Sequence, residues 1–402
     1  MTDLAHVVAL NAGSSSVKFG LFDVSGAAAR GLAEGQVEMA GTRRHLVVRG
    51  PKGLLADTSW ESDTVFHDDA IACLLAWIKA ECDDFAPLGI GHRVVHGGID
   101  FAAPVMCDDD VIARLQSLVH LAPLHQPANL AAIAAARREW PHVPQIACFD
   151  TAFHRGHEFA QDAYALPRDY YAAGVRRYGF HGISYEYLLR RLGRIAPDIA
   201  RGRIIMAHLG NGASLCALRD GRSVATTMGF STLDGLIMGT RCGQIDPGVL
   251  LWLMQEKQMP AEEISDLLYR RSGLRGLSGI SHDMRTLEAS PDPAARDAIA
   301  SFAARIRHEI AGLATTIGGI DAIVFSGGIG ANAARIRAEL LDGMAWLGIA
   351  LDAEVNIRAT GGVEALISPS GAQPRIYVLP TDEEAMIATH VTAMLAPGSH
   401  RA

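Results

Sequence analysis

The chain has 402 residues, of which 49% are apolar, 20% charged and 6% aromatic, a composition typical of a folded globular protein rather than a disordered one. The formal net charge is −8 and no basic stripe interrupts the sequence, which argues against nucleic acid as the main partner. At ~150 residues per domain, the length suits two or three domains. The start of the chain has neither a basic leader nor an apolar run long enough to span a membrane, and this predicts a cytoplasmic protein without a membrane partner. The cysteines form no C-x-x-C pair, so free thiols are predicted for Cys73, Cys82, Cys107, Cys148, Cys216 and Cys242.

Short apolar strands alternate with helical stretches along the chain, which predicts an α/β fold. The predicted strands are Val7–Leu10, Val17–Phe22, Gly89–Val95, Pro144–Phe149, Ile204–Leu209, Ser214–Leu218, Ala322–Phe325 and Ile376–Leu379. The predicted helices are Ala70–Glu81, Leu130–Glu139, Tyr185–Ile195, Ala261–Arg270 and Ala294–Ile317, the last of them buried. The polar segment Arg155–Arg177, rich in tyrosine and arginine, is predicted to run over the surface between two halves of the molecule.

A faint internal repeat relates the two halves of the chain. Residues 9–18 and residues 207–216 both read as a strand, a turn of small residues and a second strand. This pattern predicts a duplicated domain with a cleft between the copies. The alternative is a chance similarity between turns rich in glycine and serine.

Three turns of small residues have the composition of an anion-binding site. In residues 11–18, serine hydroxyls and backbone N–H groups converge near Lys18, whose charge could reach a phosphate, although the spacing is not that of a P-loop. In residues 208–214, Gly-Asn-Gly suits close approach of the backbone to phosphate oxygens. In residues 326–332, an apolar strand runs into glycines before a helix. Each could instead be an ordinary tight turn, but three in one chain favour phosphate binding.

Several charged and titratable side chains are also candidates for a functional site. Arg93 and Arg241 are flanked by glycines, and an arginine can grip a carboxylate or a phosphate with two parallel hydrogen bonds. Asp150 ends an apolar strand, where active sites of α/β proteins collect. His181 lies between glycines and His125 lies in a turn bounded by prolines. Each of these could also be an ordinary structural residue.

Glu383 precedes the last helical run of the chain. Its carboxylate could hold a metal ion, or it could only interact favourably with the helix dipole.

Taken together, these motifs resemble acetate kinases. The resemblance covers nearly the whole chain and rests on Asn-Ala-Gly-Ser-Ser-Ser-x-Lys at 11–18, Gly-His-Arg-Val-Val-His-Gly-Gly at 91–98, Phe-Asp-Thr-Ala-Phe-His at 149–154, Arg-Tyr-Gly-Phe-His-Gly at 177–182, His-Leu-Gly-Asn-Gly at 208–212 and Met-Gly-Thr-Arg at 238–241. It implies the α/β fold of the superfamily that includes sugar kinases, heat-shock ATPases and actin, in which duplicated ribonuclease-H-like (actin-like ATPase) domains enclose an interdomain cleft. Residues 1–150 with 386–402 would form the first domain, on the acyl and metal side, and residues 151–385 the second, on the nucleotide side.

The resemblance also implies an activity: reversible phosphorylation of acetate by ATP to acetyl phosphate and ADP, with Mg²⁺, or Mn²⁺ in its place, in a homodimer. The catalytic residues would be Asp150, His181 and Arg241, and the metal ligands Asn11 and Glu383. The acetate carboxylate would contact Arg93 and His125, and its alkyl group would lie among Val95, Leu124, Phe180 and Thr232. The nucleotide would contact Lys18, His208, Leu209, Gly210, Asn211, Gly212, Asp283, Met284, Arg285, Gly328, Ile329, Gly330, Ala331 and Asn332.

The chain departs from the family pattern at four positions without losing a catalytic group. Gln126, Gln244 and Ala331 stand where asparagine, aspartate and glutamate are usual, and Thr232 stands where proline is usual. Thr232 leaves room for one more methylene but brings a hydroxyl to an apolar wall. We therefore expect acetate to be preferred, with propionate close behind.

Asp150 has two possible roles. Acetate is already ionised at neutral pH, so its attack needs no general base. We therefore expect Asp150 to position magnesium or its waters rather than to act as an acid or base.

Two other functions remain open on the sequence alone. A propionate or butyrate kinase would use the same residues. One methylene changes binding in an apolar pocket by only ~1–3 kcal/mol, so the motifs do not separate these substrates from acetate. A nucleotide-driven binding module like actin or a heat-shock ATPase would also explain the nucleotide motifs. That second alternative gives no reason for Arg93, His125 and His181 in an anion-sized site.

Overall fold

The computed structural model describes residues 5–13, 16–26, 29–62, 68–81 and 87–396. Ser14 and Ser15 of the first small-residue turn, Cys82 and the last six residues lie outside these ranges. The strands are β1 (His6–Ala12), β2 (Ser16–Asp23), β3 (Arg30–Ala40), β4 (Arg43–Gly50), β5 (Gly53–Glu61), β6 (Gly89–Val94), β7 (Val105–Met106), β8 (Gln145–Phe149), β9 (Ile204–Leu209), β10 (Ala213–Arg219), β11 (Arg222–Thr226), β12 (Ala322–Ser326), β13 (Ala365–Leu366) and β14 (Arg375–Val378).

The helices are α1 (Asp68–Glu81), α2 (Asp109–Ser117), α3 (Gln126–Glu139), α4 (Phe159–Asp162), α5 (Arg168–Ala172), α6 (Gly182–Ile195), α7 (Pro247–Gln255), α8 (Ala261–Arg270), α9 (Gly273–Ser278), α10 (Met284–Ala289), α11 (Pro293–Ile317), α12 (Gly327–Asn332), α13 (Ala334–Leu341), α14 (Ala353–Arg358) and α15 (Glu383–Leu395). Short 3₁₀ turns lie at Val119–Leu121, Ala152–His154 and Ala345–Leu347. Within the described ranges, every helix is too short or too polar to span a bilayer.

The chain folds into two compact units, each with its own sheet. Unit 1 comprises Met1–Phe153 and Asp382–Ala402, and unit 2 comprises His154–Thr381. The strand order is β5-β4-β3-β2-β1-β6-β8-β7 in unit 1 and β11-β10-β9-β12-β14-β13 in unit 2.

The two sheets share one topology, which confirms the predicted duplication. In unit 1, β1 is antiparallel to β2 and parallel to β6, which is parallel to β8. In unit 2, β9 is antiparallel to β10 and parallel to β12, which is parallel to β14. The order β3-β2-β1-β6-β8 therefore matches β11-β10-β9-β12-β14 strand for strand. The repeat seen at residues 9–18 and 207–216 is the first hairpin of each copy.

The central strands are apolar because helices pack against them and neighbouring strands cover their edges. Val7, Val8, Ala9 and Leu10 of β1 are all buried, as continuous apolar runs in parallel sheets are expected to be. Helix α15 lies against β1 and β6. The backbone of β6 approaches this helix so closely that a Cβ on Gly91 would collide with Ile387. The glycine thus brings the first turn of α15 to the carboxyl ends of these strands.

All the predicted strands and helices occur, with ends that differ by a few residues. Among the elements that the prediction missed are the consecutive strands β3, β4 and β5. These strands alternate exposed polar residues with a few buried ones such as Val37, Leu46 and Val48, and they carry glycines and many charges. The segment Arg155–Arg177 is largely exposed but also forms α4 and α5. The glycines after β12 do not form a loop before a helix, because they are themselves helix α12.

Candidate active site

In unit 1, polar side chains gather where neighbouring parallel strands end. Asn11 lies at the end of β1, Arg93 lies near the end of β6, and Asp150 directly follows β8. Glu383 and Glu384 open helix α15 beside them. The carboxyl ends of parallel strands are where α/β proteins place their ligands. We call these five residues the acidic cluster.

Arg93 lies at the centre of the acidic cluster. Its Nε and Nη2 atoms donate to Asp150, at 3.0 Å from Oδ1 and 2.7 Å from Oδ2, in a two-pronged ion pair. Its Nη1 atom lies 3.2 Å from Oδ1 of Asn11 and 3.3 Å from Oε2 of Glu383. One guanidinium therefore bridges all three side chains that the sequence assigned to the metal or its waters.

Burial and mutual charge shift the pKa values in this cluster. Burial opposes the charge on Arg93, but Asp150 and Glu383 outweigh it and raise the pKa of the guanidinium. Burial raises the pKa of Asp150, which is only 1% exposed, while the guanidinium of Arg93 counteracts that rise. Burial, reinforced by Glu383, also raises the pKa of Glu384. When all groups are ionised, three carboxylates face the cations of Arg93 and Lys18, which leaves a net negative charge.

These oxygens suit a hard divalent cation. Magnesium in proteins is held by one or two carboxylates together with waters and substrate phosphates. Among the described residues, no group of three or more histidine, cysteine, aspartate or glutamate side chains is arranged to enclose a metal ion by itself. The amide oxygen of Asn11 and the carboxylate of Glu383 are of the chemical type that such a cation contacts when it arrives with a phosphate ligand.

Lys18 lies on β2 directly opposite Asn11 of β1. It is exposed and, with Glu384, lines a hollow of about 480 Å³. Glu384, which the sequence analysis did not assign, follows Glu383 and accepts a hydrogen bond from Asn11 at 3.4 Å. Its position next to a predicted ligand was the only sequence signal for it.

One predicted substrate residue of unit 1, Val95, lies two residues after Arg93, and the other two are at the start of α3. Val95 is buried and donates its N–H to Asn129, whereas Leu124 and His125 are half-buried at the start of α3. Gln126, one of the departures from the family pattern, is fully buried and hydrogen-bonds both backbone groups of His96. Gln126 therefore fixes the backbone just beyond Arg93.

In unit 2, the side chains of His181 and Arg241 both approach the backbone of Gly212. A Cβ on Gly212 would lie 2.6 Å from Nη2 of Arg241 and 3.3 Å from Nε2 of His181. Only glycine leaves room here for the ends of both side chains. Arg241 is also held by the backbone carbonyl of Thr232, to which Nη1 donates at 2.8 Å.

His181 has an unusual backbone for its residue type. It precedes helix α6 in the left-handed region, with φ 60°. Its ring stacks on that of His208, with centroids 4.2 Å apart. The structure thus brings together three of the predicted site residues of unit 2: His181, His208 and Arg241.

Three segments far apart in sequence line one hollow of about 530 Å³ in unit 2. Its lining includes eight predicted nucleotide residues, namely Gly210, Asn211, Asp283, Met284, Arg285, Gly328, Ile329 and Asn332. Leu209, Gly330 and Ala331 are buried or half-buried beside them, on β9 and α12. Sequence reasoning missed His282, Glu288 and Ala333, which also line the hollow. Glu288 lies four residues after Met284 on the same helix face, and that spacing could have revealed it.

Arg337 is buried next to helix α12, which lines this hollow. The sequence analysis did not find it. Its side chain is 0% exposed and donates to the carbonyl of Gly330 at 2.9 Å and to Asn356 at 2.8 Å. Burial lowers the pKa of Arg337 to about 10. A buried cation held by neutral oxygens thus fixes the end of α12.

Known proteins resemble this chain over nearly its whole length. Residues 6–389 match the model of the Acetokinase family. The chain belongs to that family. It is 53% identical to the acetate kinase of Methylocella silvestris over 97% of this chain and 98% of the relative. These findings confirm the resemblance on which the site residues were assigned.

Solved structures of this family share the fold. The acetate kinase of Porphyromonas gingivalis aligns with a TM-score of 0.87 at 36% identity, over 97% of this chain and 100% of the other. A propionate kinase from Francisella tularensis subsp. tularensis aligns with a TM-score of 0.88 at 34% identity, over 96% of this chain and 99% of the other. The predicted α/β fold is therefore confirmed.

The residues predicted to line an alkyl pocket divide between the units. Val95 and Leu124 belong to unit 1, whereas Phe180 and Thr232 are buried in unit 2. The pocket itself stays a prediction.

Proposed function

We propose that the protein is an acetate kinase, which reversibly transfers the γ-phosphoryl group of ATP to acetate. A carboxylate oxygen of acetate forms the new bond to phosphorus, and the bond between this phosphorus and the β-phosphate oxygen breaks, leaving acetyl phosphate and ADP. The observation that carries the proposal is the two-pronged grip of Arg93 on a carboxylate within an oxygen-rich cluster. The same guanidinium is suited to hold the carboxylate of acetate, with His125 as a second contact.

Unit 1 supplies the acyl and metal side in this proposal. Asn11 and Glu383 would hold Mg²⁺, which when bound neutralises charge on the phosphates of the nucleotide. Lys18 would contact a nucleotide phosphate as a point charge. Asp150 would orient Arg93 and the waters of the metal rather than remove a proton, because acetate reaches the site already ionised.

Unit 2 supplies the nucleotide side. The hollow lined by Asn211, Asp283 and Gly328 would take the nucleotide, and its glycines allow the backbone to approach it closely. His181 and Arg241 would donate hydrogen bonds to the transferring phosphoryl group, whose oxygens carry the charge of the transition state. The shared direction of their nitrogen atoms over Gly212 supports this role.

The acyl preference is acetate in this proposal, with propionate second. The curated relatives at 53% and 49% identity are acetate kinases, whereas a propionate kinase is among the structural relatives at 34% identity. The alkyl group would contact Val95, Leu124, Phe180 and Thr232, whose side chains would give it a mainly apolar wall.

The decisive experiment is detection of acyl phosphate as its hydroxamate, with formate, acetate, propionate and butyrate as acceptors and ATP as donor. We expect the highest kcat/KM with acetate, a lower value with propionate, and no product when the divalent cation is chelated. No acyl phosphate from any acceptor would overturn the proposal and favour a nucleotide-driven binding module. A higher kcat/KM with propionate than with acetate would reassign the substrate.

A cytoplasmic homodimer is part of the proposal. Helix α7 supports a self-association surface, because it leaves Val249, Leu251, Trp252 and Met254 exposed. The described cysteines carry free thiols, as expected in a reducing compartment. Sedimentation equilibrium should give twice the mass of 42.8 kDa, and Trp252→Glu should shift the equilibrium toward the monomer.

A further inference from the structure

A chain of buried hydroxyl groups leads to His181 within unit 2. Oγ of Ser214, on β10, lies 2.8 Å from Nδ1 of His181. The hydroxyl of Tyr185, one helical turn after His181 on α6, lies 2.6 Å from the same Oγ atom. Ser214 and Tyr185 are both 0% exposed, so these contacts are shielded from water. Neither residue belongs to the predicted site.

The direction of these hydrogen bonds follows from the acidity of the two hydroxyl groups. A phenol is more acidic than an alcohol, so it is the stronger hydrogen-bond donor and the weaker acceptor. The Tyr185 hydroxyl therefore directs its hydrogen to Oγ of Ser214. Ser214 accepts that hydrogen bond and directs its hydrogen to Nδ1 of His181. An imidazole whose Nδ1 accepts carries its proton on Nε2.

The neighbouring imidazole, that of His208, is held as the opposite tautomer. Ser184 donates its hydroxyl to Oγ1 of Thr381 at 2.8 Å, and its oxygen lies 2.9 Å from Nδ1 of His208. Ser184 therefore accepts from His208, whose proton lies on Nδ1. Two stacked rings 4.2 Å apart thus carry opposite tautomers, each set by its own serine.

We propose that Ser214 and Tyr185 are positioning residues that hold His181 as the neutral Nε2–H tautomer, so that it donates a hydrogen bond to the transferring phosphoryl group. The proposal rests on the acetate kinase function given above. The Nε2 atom that carries the proton is the one beside Gly212 and Nη2 of Arg241. With the other tautomer, a lone pair would face the negative oxygens of the phosphoryl group. Ser214 thus acts through His181 and does not itself touch the substrate.

The first test needs no substrate. The protein labelled with ¹⁵N in its histidine rings is examined by long-range ¹H–¹⁵N correlation at neutral pH, with His181→Asn and His208→Asn used for assignment. We expect the Nε2–H pattern for His181 and the Nδ1–H pattern for His208. Ser214→Ala should convert His181 to a mixture of tautomers, while Ser301→Ala, at an exposed position of α11, should change neither ring. An Nδ1–H or doubly protonated His181 in the unaltered protein, or an unchanged His181 in Ser214→Ala, would overturn the proposal.

The second test is kinetic and separates positioning from folding. Ser214→Ala should lower kcat by about 10- to 100-fold while the KM values for ATP and acetate stay within about twofold, since a donor is lost only in the transition state. Tyr185→Phe keeps the ring that packs in the core and should give a smaller loss of the same kind. Loss of affinity for both substrates with an unchanged kcat would contradict the role. If the unaltered protein makes no acyl phosphate, the function fails while the tautomer result stands by itself.

Discussion

Arg93 and Asp150 form a two-pronged ion pair at the carboxyl ends of two adjacent parallel strands, with Nη2 of one 2.7 Å from Oδ2 of the other. The same arginine is the proposed partner of the acetate carboxylate. Its guanidinium has five N–H groups, so it can keep Asp150 through Nε and Nη2 while Nη1, now shared with Asn11 and Glu383, turns to a substrate. Cation binding to Asn11 and Glu383 would release Nη1 for this purpose.

Arg93→Lys tests the role of the guanidinium. A lysine keeps the charge but offers a single point of attachment, so it cannot grip both Asp150 and acetate in the same way. We expect the KM for acetate to rise by about 10- to 100-fold while the KM for ATP changes little. Initial-rate kinetics with each substrate varied in turn measures both values. Arg137→Lys, at an exposed surface pair with Asp109, is the matched control and should change neither. Equal rises in the two KM values would rule out a selective role toward acetate.

Arg241→Ala tests stabilisation of the transition state. We expect kcat to fall by about 10²- to 10³-fold with little change in either KM, because the charge on the phosphoryl oxygens grows only as the reaction proceeds. The assay is the hydroxamate reaction under saturating ATP and acetate. Arg219→Ala, on an exposed position at the end of β10, serves as the control. A rise in KM without a fall in kcat would instead show that Arg241 binds ground state and transition state equally.

Thr232→Pro tests the acyl pocket. Proline restores the ring usual at this position and retains the backbone carbonyl that accepts from Arg241. A fuller pocket should disfavour the additional methylene of propionate, so the ratio of kcat/KM for acetate to that for propionate should rise by up to about fivefold, which corresponds to ~1 kcal/mol. The KM for ATP should stay unchanged. A ratio equal to that of the unaltered protein would remove Thr232 from the pocket.

We predict that the stability of unit 2 falls in acid because the ring of His154 is buried. Its ring is buried between Oγ of Ser223 at 2.8 Å and the carbonyl of Phe180 at 3.0 Å, and burial lowers its pKa to about 4. The unfolded chain, with an ordinary histidine pKa near 6.5, binds the proton more readily than the folded protein does. The stabilising effect of the neutral ring is therefore complete above about pH 6.5 and is lost as the pH falls toward 4, at up to ~1.4 kcal/mol per pH unit.

Urea unfolding between pH 7.5 and 5 measures this dependence. His154→Gln should flatten the fall in the free energy of unfolding at low pH, whereas His308→Gln, at an exposed position of α11, should leave its slope as it is. The same slope in His154→Gln and the unaltered protein would contradict a buried neutral ring at this position.

The sequence allowed prediction of those parts of the fold whose residues face an apolar environment on both sides. Strands such as β1 and β9 are continuous apolar runs, and α11 repeats apolar residues at helical spacing, so their positions were predicted closely. Strands β3 to β5 were not predicted because β3 and β4 are covered on one face only and β5 is largely exposed. There, isolated residues such as Val37 and Leu46 lie among charges and glycines.

Site residues could be predicted where they belong to a contiguous sequence motif. They could not be predicted where their role depends on a contact that forms only in the folded chain. Arg93, Asp150 and His181 each stand in a recognisable run of residues. Arg337 and Tyr185 do not, because their importance comes from a carbonyl and a serine hydroxyl that are close only in the folded chain. A buried arginine with no motif around it looks in sequence like any surface arginine of a helix.

The return of the chain to unit 1 through α15 sets the order in which the protein can mature on the ribosome. Unit 2, His154–Thr381, is a continuous stretch and has all of its residues once Thr381 leaves the exit tunnel. Unit 1 must wait longer, because the helix that covers Gly91 of β6 and carries Glu383 follows unit 2 in the chain. At bacterial-type rates of about 5–20 residues per second, the first sheet spends roughly 10–45 seconds without that cover. The strands of unit 1 are therefore the ones most exposed to chaperones and to aggregation while unit 2 is being made.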